Sequence, residues 1–255
     1  MSAAVAEFSG RLRWLATQLA VLGPLAAVAP SLDVFHGNIA GRRKVRRIRR
    51  RMRKHKDDVL ILTEAYNARP YLKRWAERFG YELRHATRAK HGPEGPDVAV
   101  LVRHGIEILD YELVEMTKEW WGPFRYPHSR KKPRLVPVLT LRKAGMIYVV
   151  IGMHAPSGGP KGGTSTRGRN APAWAEYADH VRHVLTGVVR GAAVGDGNAK
   201  GAELREHMMP ADGQVAMASG VDGVVAKGLR IALRRLRSPL GMHGWFRARL
   251  TPIAN

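Results

Sequence analysis

The sequence predicts a layered α/β sandwich folded as one domain. Its 255 residues, of which 45% are apolar, are enough to build a sizeable hydrophobic core. Short apolar runs typical of buried strands alternate with segments whose apolar residues recur every three to four positions, as in helices. No internal repeat is visible in the chain. Because strands and helices alternate, the sequence favours sheets that are covered by helices.

Residues 1–30 are predicted to form a helical extension ahead of this domain. Their apolar residues recur at spacings of three and four, at Val5, Phe8, Leu12, Leu15, Leu19 and Leu22. Gly23-Pro24 would end the helix. A signal peptide is the alternative, since Arg11 and Arg13 precede an apolar stretch with a small-residue end. Polar residues at 17–18 and the proline interrupt that stretch, which favours a cytoplasmic protein. It is also short and broken for a membrane span of about 20 residues.

The segment 42–56 carries an unusual concentration of positive charge. Eleven of its 15 residues are Arg or Lys and none is acidic. Val45, Ile48 and Met52 form a narrow apolar stripe, which predicts a helix with one docked side and a wide cationic face. The whole chain has 43 basic and 21 acidic residues and a net charge of +22. That excess favours nucleic acid as the partner, with an anionic membrane surface as the second choice.

The remaining elements are predicted from apolar runs and from the turn residues that bound them. The predicted strands span residues 31–39, 59–62, 97–103, 135–141, 146–153, 188–194, 221–226 and 245–250. The predicted helices after the basic one span residues 71–79 and 174–185. Residues 120–134 mix aromatics with Arg and Lys, which suits either a loop that stacks on bases or one pinned to the core by its aromatics. Residues 156–172 are Gly-rich and basic and are predicted to be a mobile loop.

Several kinds of site are excluded. The chain has no cysteine, so it has no disulfide and no thiolate metal site, and a metal must be held by oxygen or imidazole. Residues 158–166 lack the GxxxxGK[ST] pattern of a phosphate-binding loop. Residues 196–207 start like a calcium loop but place basic residues at two ligand positions. His180 and His183, one helical turn apart without HExxH, are predicted to be surface residues.

Polar residues of catalytic type lie at the ends or edges of the predicted strands. They are Asn38, Glu64, His154, Asp196, Asn198, Asp222 and His243. Taken singly, each is more simply a turn or core residue; Gly195 and Gly197, for example, would bend the chain around Asp196. Together they supply the carboxylates, amides and imidazoles that cleave a phosphodiester with a hard divalent ion.

Seven sequence blocks carry a family resemblance. They read LDVFHGNIAG, DVLILTEAYN, PDVAVLVR, IYVVIGMHAP, VVRGAAVGDGNA, VDGVVA and GMHG. In this order they resemble the endonuclease/exonuclease/phosphatase superfamily, which includes deoxyribonuclease I and the apurinic endonucleases. The resemblance covers residues 31–255. It implies an α/β four-layered sandwich with two central mixed β-sheets flanked by helices, and an active site at one edge of both sheets.

The resemblance also implies a metal cofactor. Glu64 matches the glutamate that binds Mg²⁺ in the family, and Mn²⁺ is the alternative ion. Asn38 matches the asparagine of the family's first strand, near the metal and the phosphate. Asp222 is the third residue that the resemblance places at the metal.

Five residues inherit catalytic roles from the same resemblance. His154 would contact the scissile phosphate, Asp196 would position the attacking water, and Asn198 would stabilise charge on the phosphoryl oxygens. Asp222 would orient His243, the general base.

The sequence departs from the family in two places. The family's Ser-Asp-His reads Gly241-Met242-His243, so the carboxylate next to the base is replaced by Met242. Gly197 replaces the phenylalanine of the family's Gly-Asp-Phe-Asn block. The first change leaves open an enzyme of reduced activity, or a nucleic-acid-binding protein with a dead site.

The predicted function is therefore a Mg²⁺-dependent nuclease, a monomer that hydrolyses DNA by in-line attack of water. The alternative substrates are small or lipid phosphates, for which membrane contact by the N-terminal helix would be the best support. DNA contact is predicted for Arg42, Arg43, Arg46, Arg49, Arg50, Arg53, Arg130, Lys131, Lys132, Lys161, Arg167 and Arg169.

Overall fold

Two six-stranded sheets form the centre of the structure, a computed structural model that describes residues 30–40, 45–85, 98–117, 120–121, 130–131, 134–161, 170–237 and 243–253. The first sheet has the order β13 (Leu229–Leu236), β14 (Trp245–Pro252), β1 (Leu32–Asn38), β2 (Val59–Thr63), β4 (Ala99–Arg103) and β3 (Tyr81–His85). The second has the order β11 (Gly213–Met217), β12 (Asp222–Lys227), β10 (Gly191–Asp196), β9 (Met146–His154), β8 (Arg134–Lys143) and β5 (Glu107–Thr117). A short ribbon pairs β6 (Trp120–Trp121) with β7 (Arg130–Lys131). Each large sheet is mixed, since β1 runs parallel to β2 and β9 to β10, while the other pairs are antiparallel.

Helices cover both outer faces of the sheet pair. The described helices are α1 (Val45–Lys54), α2 (Arg69–Phe79), α3 (Ala171–Thr186) and α4 (Gly201–His207). The first two pack on the first sheet through Ile48 and Leu72, and the last two pack on the second sheet through Trp174 and Leu204. A separate apolar core lies between the sheets. The predicted four-layered α/β sandwich is thereby confirmed.

The strand directions gather the predicted functional residues at one edge. β2 is buried at all five positions and β10 at all six, which explains why these parallel strands read as continuous apolar runs. Parallel partners end at the same edge of a sheet, so β1 delivers Asn38 next to the end of β2. In the second sheet, β9 and β10 deliver His154 and Asp196 as direct neighbours.

The structure agrees with every predicted strand and adds elements that the sequence did not predict. The additions are β3, β5, β11, β13 and α4, together with the ribbon of β6 and β7 and a 3-10 turn at Gly159–Lys161, which lie in segments predicted to be loops. The basic helix is confirmed at Val45–Lys54, but Arg51 turns inward, where its guanidinium lies 4.0 Å from the Phe35 ring centroid and pairs with Asp57 at 2.8 Å. The prediction of a surface position was wrong for His180, which is buried. Its Nδ1 donates to the Met116 carbonyl at 2.7 Å, a hydrogen bond that joins α3 to β5 and satisfies the buried ring.

Three further predictions fall largely outside the described residues. The N-terminal helix, apart from Pro30, lies outside them, as does most of the loop 120–134 and the segment 162–169 of the second loop. No helix among the described residues is long and apolar enough to cross a lipid bilayer.

The opposite edge of the first sheet is held by buried charge. Asp58, only 1% exposed, accepts hydrogen bonds from the Arg103 guanidinium at 2.8 Å, from Lys143 Nζ at 2.6 Å and from the Asp33 amide at 2.8 Å. These bonds join the starts of β1 and β2 to β4 and to the second sheet. Hydrogen bonds to a charged group stabilise more than neutral ones, because the ion has already lost its hydration.

We expect Asp58→Ala to lower the free energy of unfolding by about 3 kcal/mol, since it removes these bonds and leaves two cations without their partner. Chemical denaturation would measure the change. Asp212→Ala is the matched control, because Asp212 is 67% exposed and lies 3.9 Å from Lys227; its loss should change stability by less than about 0.5 kcal/mol. Equal effects of the two substitutions would contradict the argument.

Candidate active site

All seven residues that the sequence singled out lie within the described part of the chain, at the edge where the two sheets meet. In the second sheet Asp196 lies between His154 on β9 and Asp222 on β12, each a direct cross-strand neighbour. In the first sheet Asn38 is the neighbour of Thr63, the residue before Glu64. His243 comes two residues before β14, which pairs with β1.

Asp196 is buried among partners of both signs. Its Oδ1 accepts the Asn198 amide at 2.8 Å, and its Oδ2 lies 3.3 Å from His243 Nδ1 and 3.9 Å from His154 Nε2. Burial raises the pKa of Asp196, and the charge of Asp222 adds to this, while both imidazoles and the Asn198 amide act in the opposite direction. A carboxylate with a raised pKa accepts a proton readily, as a group that activates water must.

Asn198 forms the bend that follows Asp196. Its backbone is left-handed, with φ of 49°, a conformation that asparagine adopts more easily than most residues. Its Nδ2 donates to the Ala155 carbonyl at 2.8 Å, and Trp174 Nε1 donates to the Gly197 carbonyl at 2.9 Å. The two glycines of the block were predicted to make this bend, but Gly197 has an ordinary negative φ and the left-handed turn residue is Asn198 itself.

Asp222 is completely buried and its two oxygens are both hydrogen-bonded. His36 Nε2 lies 3.1 Å from Oδ1, while Ser219 Oγ and the Gly244 amide each donate to Oδ2 at 2.7 Å. Burial alone would raise the pKa of Asp222, but hydrogen bonding to His243 and His36 holds that pKa well below its usual range. Asp222 therefore stays ionised, and its occupied oxygens suit the orientation of a neighbour better than the binding of an ion.

His243 lies between the two carboxylates. Its Nδ1 is 3.3 Å from Asp196 Oδ2 and 3.6 Å from Asp222 Oδ2, and its side chain is 21% exposed. Interaction with Asp222 is the main cause that raises the pKa of His243 to about 9; burial opposes it, and Asp196 and Glu64 add to it. Both carboxylates lie on the Nδ1 side of the ring at ion-pair distance, although Nδ1 has no hydrogen-bond partner among the described residues. Nε2 is then the ring nitrogen for a substrate or water.

We expect a metal-free sample to confirm this electrostatic arrangement by NMR. The His243 ring should titrate with a midpoint at about 9, above the ordinary value of about 6.5, because two nearby anions favour its protonated form. In Asp222→Asn the midpoint should fall towards the ordinary value, since the larger anionic contribution is gone. A midpoint that is ordinary in the wild-type protein would contradict the arrangement.

Glu64 and Asn38 form the opposite wall of the site. Glu64 is half-buried with a left-handed φ of 51°, and its Oε1 accepts Asn38 Nδ2 at 2.9 Å. Asn38 is fixed in turn, since its side-chain oxygen accepts the Ala40 amide at 3.0 Å and its carbonyl accepts Trp245 Nε1 at 2.9 Å. An oriented carboxylate that is not fully buried, beside an amide, fits the oxygen ligands that Mg²⁺ and Mn²⁺ prefer.

A second group of possible metal-ligand atoms lies across the site from Glu64 and Asn38. Potential ligand atoms of Asp196, Asp222 and His243 all lie within 4.8 Å of one another. Three hydrogen bonds already occupy Asp222, so this group has fewer free lone pairs for an ion than its three side chains alone would supply. Glu64 is near enough to raise the pKa of His243, so the two walls act on the same space.

The chain is similar to solved structures of other proteins. No protein-family model and no curated protein sequence matches it. An endonuclease/exonuclease/phosphatase from Bacteroides vulgatus aligns with a TM-score of 0.64 and 11% identity, covering 88% of this chain and 100% of that one. The chain has the endonuclease/exonuclease/phosphatase fold. TDP2 from C. elegans follows with a TM-score of 0.62 and 14% identity, covering 93% of this chain and 80% of that one. Sphingomyelinase C from Streptomyces griseocarneus has a TM-score of 0.59 and 18% identity, covering 86% and 99%.

The predicted DNA contacts are only partly within the described residues of this endonuclease/exonuclease/phosphatase fold. Arg46, Arg49, Arg50 and Arg53 are exposed on α1. The backbones of Arg130 and Lys131 form β7, and that of Lys161 ends a 3-10 turn, Gly159–Lys161. The predicted contacts that lie outside the described residues are Arg42, Arg43, Lys132, Arg167 and Arg169.

The sequence reasoning missed two partners of Asp222 and a set of arginines. His36 had a detectable signal, because it interrupts the inward-facing apolar positions Leu32 and Val34 of β1. Ser219 had none, since a serine in a turn is ordinary. On β13 and just after it, the exposed basic residues are Arg230, Arg234, Arg235 and Arg237.

Proposed function

We propose that the protein is a divalent-metal-dependent phosphodiesterase that hydrolyses DNA. The observation that carries the proposal is geometric: two buried carboxylates on adjacent strands place their Oδ2 atoms 3.3 Å and 3.6 Å from His243 Nδ1. The directions of their pKa shifts support it. Asp222 is held ionised, whereas Asp196 has a raised pKa. Neighbouring titratable groups whose pKa values are driven apart are typical of acid–base catalysis. The endonuclease/exonuclease/phosphatase fold supports the same reaction class by analogy.

Each residue of the cluster then has a defined part. Asp196 takes the proton of the attacking water, and Asp222 holds the imidazole of His243 beside it. With a pKa of about 9, His243 is a second proton acceptor only in its neutral form. His154 and the side-chain amide of Asn198 contribute hydrogen bonds to the phosphoryl oxygens as negative charge develops. His154 is fixed for this by its backbone amide, which bonds to the Tyr177 hydroxyl at 3.1 Å.

Glu64, oriented by Asn38, would hold the metal ion. A bound Mg²⁺ or Mn²⁺ there supplies charge neutralisation at the phosphate and stabilises the leaving oxygen. The family resemblance implies Asp222 as a further ligand. Its oxygens accept three hydrogen bonds, which leaves one of about four lone-pair sites for an ion.

Surface charge supports a polyanionic substrate. α1 exposes Arg46, Arg47, Arg49, Arg50, Arg53 and Lys54, and its sequence contains no acidic residue. The exposed arginines of β13 extend this surface towards the active-site edge, because Leu236 at the end of β13 pairs with Trp245, two residues after His243. Such a surface contacts successive phosphates along a nucleic acid, whereas a small phosphate ester occupies only the catalytic site.

A plasmid-nicking assay with and without EDTA tests the proposal, run beside a panel of phospholipid and sugar-phosphate esters. We expect Mg²⁺-dependent nicking that EDTA abolishes. DNA binding without cleavage would instead identify a nucleic-acid-binding protein with an inactive site, the outcome that Met242 would explain.

Hydrolysis of a phospholipid head group is the second candidate function. Its support is the structural likeness to sphingomyelinase C, which at 18% has the highest sequence identity of the three structures described. Cleavage of lipid esters but not of plasmid in the same panel would favour it, and the cationic surface would then face an anionic membrane.

We expect the triple substitution Arg46→Glu, Arg49→Glu and Arg53→Glu to weaken DNA binding by about 100-fold or more at low salt. Loss of three phosphate contacts should also reduce the slope of log K against the logarithm of the salt concentration by about 2.7. The kcat at saturating DNA should change little. Fluorescence anisotropy over a salt series measures both quantities. Arg182→Glu on α3, an exposed residue paired with Asp179, is the matched control and should have a small effect. Equal losses in the two proteins would place the DNA elsewhere.

A further inference from the structure

His36 is a buried polar side chain in the apolar space between the two sheets. Along β1, Leu32 and Val34 face this inter-sheet core while Phe35 faces α1. His36 follows the same alternation, is 0% exposed, and its ring centroid lies 5.0 Å from that of Phe246. A polar side chain at such a position destabilises the fold unless it has a partner. The partner here is Asp222, which belongs to the opposite sheet.

The contact defines the protonation of the ring. His36 Nε2 lies 3.1 Å from Asp222 Oδ1, and an ionised carboxylate can only accept, so the hydrogen is on Nε2. His36 Nδ1 is buried and has no hydrogen-bond partner among the described residues. A hydrogen on Nδ1 as well would leave a buried N–H without an acceptor, which is more costly than an unused lone pair. The neutral ring with hydrogen on Nε2 therefore fits the site.

We propose that His36 is a positioning residue, which fixes Asp222 and through it the imidazole of His243. Ser219 and the Gly244 amide both hold Oδ2 of Asp222, and His36 is the donor to Oδ1 among the described residues. With donors on both oxygens the carboxylate plane cannot rotate. The direction that Asp222 presents to His243 is thus set from the opposite sheet. This inference rests on the proposed phosphodiesterase function, in which His243 acts on water.

Two substitutions separate hydrogen bonding from packing. His36→Leu fills the apolar space without a donor, and His36→Gln retains an N–H that can reach Asp222. We expect His36→Leu to lower kcat by about 10-fold to 100-fold with little change in KM, the range found for residues that orient a catalytic ligand. We expect His36→Gln to restore most of kcat. If His36→Leu does not fold, His36→Met takes its place, and a donor-free variant with wild-type kcat would overturn the proposal.

A double substitution tests whether His36 acts through Asp222. In the Asp222→Asn background the ionised acceptor is already lost, so adding His36→Leu should reduce kcat no further. Residues that act as one unit show such non-additive effects, whereas independent structural effects multiply. Multiplied losses in the double variant would overturn the proposal.

An NMR measurement separates failure of this inference from failure of the proposed function. In metal-free protein with ¹⁵N-labelled histidine, His36 should have hydrogen on Nε2 alone, and the His243 signals should move in His36→Leu but return towards wild type in His36→Gln. If the wild type hydrolyses no phosphodiester yet the His243 signals respond, the proposed function fails and the coupling stands. If the wild type hydrolyses DNA and the His243 signals do not respond, His36 has no positioning role.

Discussion

Substitution of Asp196 by alanine is expected to lower kcat by about 1,000-fold or more while leaving DNA affinity nearly unchanged. The side chain is 1% exposed and lies near His154 and His243, so its removal takes away the carboxylate that we propose receives a proton from water. The proposed binding surface consists instead of arginines on α1, which covers the outer face of the first sheet, and on β13, the edge strand of that sheet. Single-turnover cleavage and anisotropy on the same DNA would measure the two quantities.

The partner substitution His243→Ala should give the same division between turnover and binding. Asp212→Ala serves as the control for loss of an acidic side chain, since Asp212 is exposed near the end of β12 remote from the site. In Asp196→Ala a buried negative charge near the phosphate is removed, which should favour binding of the polyanion. Loss of affinity in parallel with loss of turnover, in both Asp196→Ala and His243→Ala, would show that catalysis and binding share one surface.

The elements that the sequence predicted most directly are those whose burial is complete. β2 and β10 consist of short runs buried on both faces, so their apolar character identifies them without knowledge of their neighbours. β13 reads LRIALRRL and β5 reads EILDYELVEMT. Both lie at sheet edges, and most of their side chains are exposed or only partly buried. Their charged residues conceal the strand pattern, because an edge strand tolerates and benefits from such residues.

The sequence singled out side chains that the fold brings together, but it did not specify how they are connected. Asn38, Asp196 and the other strand-end residues follow from the apolar runs that precede them and from the family resemblance. The bond between His36 and Asp222 joins residues 186 positions apart in different sheets, and no local pattern specifies it. The opposite pKa shifts of Asp196 and Asp222 also depend on their donors, which only the folded chain supplies.

We expect Gly195→Ala to be strongly destabilising. Gly195 has φ of 147°, and an added Cβ would lie 2.0 Å from the Met153 carbonyl oxygen, which belongs to the backbone of β9. Backbone cannot move aside as a side chain can, so β9 and β10 would have to separate where they carry His154 and Asp196. The free energy of unfolding should fall by about 3 kcal/mol or more, measured by chemical denaturation.

The control for Gly195→Ala is Gly220→Ala, because a Cβ at Gly220 would have no atom within 4 Å and its φ is not positive. That variant should unfold within about 1 kcal/mol of the wild type. Equal stability of the two variants would mean that β9 and β10 can separate without loss. If Gly195→Ala alone is destabilised, then this glycine sets the close approach of β9 and β10, and with it the 3.9 Å separation of His154 Nε2 and Asp196 Oδ2. The Gly-Asp-Gly-Asn block would then combine two separate requirements, a glycine for strand contact and an asparagine for the turn.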